Sequence, residues 1–124
     1  MQTDTFKDKV VIVTGGANGI GRCIADEFRK QGAIVYVIDK QEGEHFVGDI
    51  SKQDVLEAFA SDVLSKHDKV DIIVNNALPL MRGIDECSYD EFQYALSVGV
   101  TAPFYLVKLL KNHLAEGASI INIS

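Results

Sequence analysis

Short apolar, β-branched runs alternate with helix-periodic stretches along nearly the whole chain, and that alternation leaves few folds open. Lys9 to Thr14 (KVVIVT) is apolar at successive positions, the pattern of a strand buried on both faces. Ile20, Ile24 and Phe28 recur every four residues in a predicted helix from Ile20 to Gln31, and Gly32 stands where a left-handed C-cap belongs. Ala33 to Asp39 (AIVYVID) reads as a second buried strand and His45 to Gly48 as a short third. Ser51 is expected to cap a helix over roughly Lys52 to His67, with Val55, Leu56, Phe59 and Val63 on its apolar face. Val70 to Asn75 (VDIIVN) is a fourth strand. Ser88 and Glu91 have capping-box spacing and open a long helix to about Leu114, in which Pro103 predicts a kink or break. Ser119 to Ser124 (SIINIS) begins a fifth strand. Strand–helix–strand repetition demands right-handed crossovers. The expected fold is therefore a doubly wound parallel α/β sheet, order 3-2-1-4-5, with helices on both faces and the chain stopping after the fifth strand. The 124 residues suffice for one domain with a core and are too few for two.

Composition narrows the partners. A net charge of −6 argues against free nucleic acid and anionic membrane surfaces, and no apolar run approaches spanning length. The start, MQTDTFKDK, lacks the apolar stretch of a secretory leader. Cys23 and Cys87 lie far apart without CxxC spacing, and His45, His67 and His113 do not cluster with them. Reduced thiols in a cytoplasmic protein are expected, with no metal site. Overall repulsion leaves room for a phosphate held in a local nest of backbone N–H groups.

Such a nest is written at residues 14–21. Gly15, Gly19 and Gly21 are spaced G-x-x-x-G-x-G between the first strand and the first helix. Gly15 lets the chain turn sharply out of the strand, a Cβ at Gly19 would obstruct a pyrophosphate, and Gly21 lets the helix pack closely. The helix N-terminus then offers free N–H groups and partial positive charge. Asp39 ends the second strand 18 residues after Gly21. A carboxylate there can accept hydrogen bonds from both ribose hydroxyls and repel a 2′-phosphate, which favours NAD over NADP. Lys40 follows at once and pulls the other way. Asp49 could meet an adenine amino group while Ile50 covers the ring; capping the next helix is the competing role for Asp49.

These residues together resemble the short-chain dehydrogenase/reductase family. The likeness is carried by Phe6, Lys9-Val10, Thr14-Gly15 through Gly21, Asp49-Ile50, Asn75-Asn76-Ala77, Pro103-Phe104 and Ile120 to Ser124. It implies a Rossmann fold and a role for each position. Gly15, Asn18, Gly19 and Ile20 would line the pyrophosphate and ribose. Asp39 would hold the adenosine ribose, and Asp49 and Ile50 the adenine. Asn76 and Ala77 would approach the nicotinamide-side ribose. Thr14 and Asn75 are more in keeping with scaffold, and for Asn75 and Asn76 structural and cofactor roles both stay open. The implied activity is hydride transfer between NAD and an alcohol or ketone, with a small-molecule substrate. A homo-oligomer is implied through the long helix, which resembles the family's usual dimer surface.

The sequence departs from the family pattern in three places. Leu78 stands where the signature has glycine and could crowd the nicotinamide. Gly99 stands where the family carries an Asn that helps hold a relay water. With Pro103 four residues later, it also predicts an irregular helix. The family's catalytic Ser, Tyr and Lys are implied to lie beyond Ser124, so no catalytic residue is assigned. This segment is expected to supply the cofactor cradle and to be inactive alone. The fifth strand would then be an open edge, and Phe104, Leu106 and Leu109 would be exposed. A non-catalytic dinucleotide-binding module is the alternative reading. An adenosyl-dependent methyltransferase is a third, disfavoured by Thr14-Gly15 and Asn75-Asn76-Ala77.

Overall fold

Strand parity decides which helix covers which face. The protein is described by a computed structural model over residues 5–79 and 82–123. Strands β1 (Val10–Thr14), β2 (Ile34–Asp39), β3 (Phe46–Val47), β4 (Val70–Asn75) and β5 (Leu114–Asn122) form one parallel sheet in the order β3-β2-β1-β4-β5. In β1, Val11 and Val13 turn to one side and Val10 and Ile12 to the other, and all four are buried. The first side packs with Val37 and Val74 under helix α1 (Gly19–Lys30), which contributes Ala25, Ile24 and Phe28. The second packs with Ile38 and Ile73 under helix α2 (Gln53–Leu64) and the long helix, through Leu56, Phe59, Val63, Leu106 and Leu110. Both faces of the central strands are thus apolar because both are covered. Among the described residues, no helix is long and apolar enough to cross a membrane.

The long helix is broken where Gly99 and Pro103 predict it. It runs as α3 (Tyr89–Leu96), a π-helical turn over Ser97–Thr101, and α4 (Ala102–Leu110), followed by a 3-10 turn at Lys111–His113. Pro103 has no N–H to give the Gly99 carbonyl, and its ring would press on that carbonyl in a regular α-helix. The chain widens instead, and the Ala102 N–H donates to the Ser97 carbonyl, five residues back.

Several boundaries differ from expectation. Ser51 does not cap α2. Its N–H donates to Asp49 Oδ1 at 2.9 Å, and Lys52 takes the cap position without a side-chain bond. Ser88 does cap α3, accepting from the Glu91 N–H, but the Glu91 carboxylate reaches Arg82 rather than completing the box. The third strand is only two residues long. The fifth starts early, at Leu114. Its register against β4 jumps from Val70↔Leu114 to Ile72↔Ser119, with Gly117 at φ +77° in the bulge. Ser124, the expected end of that strand, lies outside the described residues. Phe104 is exposed (63%), but Leu106 is only 1% exposed. Leu106 shares a face with Ala102 and Leu110, one turn away on either side, and that face lies on the sheet.

Candidate active site: the cleft at the switch point

In this strand order the connections leave β1 in opposite directions, so a crevice opens between the C-terminal ends of β1 and β4, where ligands bind in such sheets. A cleft of about 540 Å³ lies there, within the range of cofactor sites. Thr14 ties its floor together. The Thr14 side chain is buried, and Oγ1 accepts from the N–H groups of Asn76 (3.0 Å) and Ala77 (3.1 Å). Asn76 returns the tie, donating from Nδ2 to the Gly15 carbonyl at 3.1 Å. Asn75 donates instead to Asn122 Oδ1 on β5, at 2.9 Å.

The glycine turn is tight where it meets this floor and open where it meets solvent. Gly15 has φ +66°, and a Cβ on it would lie 2.8 Å from the Ala77 Cα. A Cβ on Gly21 would lie 2.2 Å from the Gly15 carbonyl oxygen and 2.3 Å from Asn76 Nδ2. The close approach at Gly21 is therefore to the turn and to Asn76, more than to the sheet itself. Gly19 is the opposite case, with φ +55° and no atom within 4 Å of its added Cβ. No acidic side chain occupies the first turn of α1, so no residue of the helix itself offsets its positive end. Open space beside Gly19, at the N-terminus of α1, fits an anion such as a dinucleotide's phosphates.

Two acidic residues, Asp39 and Asp49, line the cleft. Asp39 Oδ2 accepts from the Ala17 N–H (3.1 Å) and Oδ1 from the Gln41 N–H (2.9 Å), so its carboxylate is fixed against the glycine turn. Asp49 Oδ1 accepts from Ser51 and also from the Tyr94 hydroxyl at 3.2 Å. Partial desolvation pushes the Asp49 pKa up. The bonds from Ser51 and Tyr94, together with the charge of Lys40, outweigh that effect and hold it below the ordinary value.

Of the sequence-predicted site residues, Gly15, Ile20, Asp39, Asp49, Ile50, Asn76 and Ala77 all line this one cleft. Asn18 and Gly19 border it without lining it; Asn18 is the N-cap of α1, its Oδ1 accepting from the Gly19 N–H. Ile20 was expected on the buried face of α1 as well as in the site. It is 67% exposed and belongs to the cleft alone. Leu78 also lines the cleft and is 63% exposed. The sequence reading missed Ile38, Gly48, Pro79, Tyr94 and Val98. Tyr94 and Val98, one helical turn apart, carry the only available signal, a shared face on α3 and the π turn.

A family model described as short chain dehydrogenase matches residues 9–124. L-fucose dehydrogenase of Mus musculus is 35% identical over 96% of this chain and 49% of its own length. Among solved structures, aldohexose dehydrogenase of Thermoplasma acidophilum superposes with a TM-score of 0.84 at 30% identity, over 95% of this chain and 49% of that one. A 3-ketoacyl-(acyl-carrier-protein) reductase of Brucella melitensis, complexed with NADH, gives 0.84 at 28% identity, over 95% and 57%. The chain thus spans about half the length of the relatives it matches.

Proposed function

The chain belongs to the short-chain dehydrogenase family, and from that premise we propose that its cleft binds NAD in preference to NADP and serves hydride transfer between the nicotinamide and an alcohol or ketone. The observation that carries this reading is the pairing, around one glycine turn, of the open space beside Gly19 with the carboxylate of Asp39 fixed on the Ala17 N–H at the edge of the cleft. Gly15, Asn18, Gly19 and Ile20 would hold the phosphates and adjoining ribose, and Asp39 the adenosine ribose. Asp49 and Ile50 would flank the adenine, with Asn76 and Ala77 at the nicotinamide-side ribose. When bound, the nicotinamide would give or accept the hydride. The residues described here would bind and orient the cofactor. Small-molecule alcohols are the substrates, and sugars are the first to assay, because two of the relatives are named for them.

Exposed apolar residues at Phe92, Leu96, Val100 and Phe104 recur every four positions along the long helix, which supports a homo-oligomer measurable by sedimentation. Two free thiols are in keeping with a reducing, cytoplasmic setting. Leu78 favours one second reading: at the nicotinamide end it could permit binding without turnover. Hydride transfer by the whole protein, followed by nicotinamide absorbance, excludes that reading.

The cofactor reading is tested by equilibrium titration with NAD and NADP. NAD should bind more tightly. Asp39→Ala should weaken NAD about ten- to hundredfold, the worth of about 1.5–3 kcal/mol for hydrogen bonds to a charged group. Equal affinity for both cofactors overturns the NAD preference, and binding of neither at millimolar concentration overturns the reading.

A further inference from the structure

Resting on the cofactor reading above, we infer that Tyr94 is a specificity-determining residue: it holds Lys40 over its ring and so withholds that cation from a 2′-phosphate. Successive residues of an extended strand point to opposite faces. On β2, Val37 packs under α1 and Ile38 packs toward α2 and α4. Asp39 then falls on the α1 side, where its carboxylate meets the Ala17 N–H. The strand ends at Asp39, the chain bends at Lys40, and the Lys40 Nζ lies 5.5 Å from the centre of the Tyr94 ring. The Tyr94 hydroxyl donates to Asp49, so ring, carboxylate and ammonium form one cluster.

Lys40 is the only cation among the described residues lining the cleft. Left free, a lysine adjoining Asp39 would offset the carboxylate's repulsion of a 2′-phosphate. Held over Tyr94, it must first leave a cation–π contact and the field of Asp49. For an exposed pair that attraction amounts to about two- to fivefold in an equilibrium. Releasing Lys40 should therefore improve binding of a 2′-phosphorylated ligand by about that factor, relative to one without the group. Arg22, in the adjoining groove, is the competing cation, and it faces Asp26 at 3.8 Å.

The probes are adenosine 5′-monophosphate and adenosine 2′,5′-bisphosphate, which differ only in the 2′-phosphate. The readout is the ratio of their dissociation constants, by calorimetry on the full chain. Because both carry the same base, any loss of adenine contact cancels in the ratio. Tyr94→Leu should lower the bisphosphate-to-monophosphate ratio by about two- to fivefold. Tyr94→Phe keeps the ring and should keep the wild-type ratio. Lys40→Ala added to Tyr94→Leu should restore it. A ratio unmoved by Tyr94→Leu overturns the inference, as does a drop that survives Lys40→Ala, which would assign the effect to Arg22. If the wild-type chain binds neither probe, the nucleotide reading falls and takes this inference with it.

Discussion

Replacing Gly21 with alanine reverses the sign expected from helix propensity alone. Gly21 lies in the first turn of α1, where alanine would ordinarily stabilise the protein by up to about 1 kcal/mol. Here the added methyl would sit 2.2 Å from the Gly15 carbonyl oxygen, about 1 Å inside an ordinary carbon–oxygen contact of about 3.3 Å. Neither neighbour can yield freely. Gly15 N donates to Ile38 O at 2.8 Å, and the carbonyl of Gly15 already accepts from Asn76. Overpacking of this kind costs about 1–3 kcal/mol, and breaking the Asn76 bond adds about 0.5–1.5 kcal/mol. After the propensity gain, the net expectation for Gly21→Ala is a loss of about 2 kcal/mol. Urea denaturation would show it as a lower midpoint with an unchanged slope, and thermal melting as a fall of roughly 6–10 °C. An unchanged or raised midpoint would refute the packing account, because it would mean that α1 does not press on the turn.

Gly19→Ala should leave packing untouched, yet abolish phosphate binding and cost only the left-handed strain of about 1–2 kcal/mol; a melt beside an NAD titration separates the two effects. Thr14→Val strands two N–H groups beneath the cleft and should cost about 2–4 kcal/mol by denaturation, with Thr14→Ser recovering most of it. The carboxyl of Asp49 titrates below its ordinary value of 3.8, so its ionised form stabilises the fold. That contribution is complete above pH 3.8 and is lost as pH falls through the lower folded-state value. The stability gap between wild type and Asp49→Asn should therefore be present at neutral pH and close in strong acid; a gap that widens on acidification would contradict this sign.

Sheet order, the central strands and the glycine turn were legible in the sequence because each rests on a local pattern. A strand covered on both faces must be apolar at successive positions, as in VVIVT, and a phosphate turn needs glycine at fixed steps. The irregularity near Gly99 was legible for a similar reason, since a missing N–H is a property of Pro103 itself. What stayed hidden depends on competition between neighbours. Ser51 is a good capping residue, but it is drawn into a turn with Asp49 and α2 starts one residue later, behind Lys52. Leu106 and Phe104 are equally apolar, and only the docking of α4 on the sheet decides which is buried. Tyr94 reaches the cleft beside Asp49 and Lys40, a tertiary fact to which helical periodicity is blind. Lys40 reads as an argument for NADP until its ammonium is found over the Tyr94 ring, on a different element of the fold.

The central claim is that a dinucleotide lies across the ends of β1, β2 and β4 with its phosphates at the turn before α1. Amide chemical shifts recorded while NAD is titrated into the protein test it most directly. Saturating shifts should map to Gly15 through Gly21, Asp39, Asp49, Ile50, Asn76 and Ala77, with α2 and β5 silent. Saturable shifts centred elsewhere, or none at millimolar NAD, would contradict it.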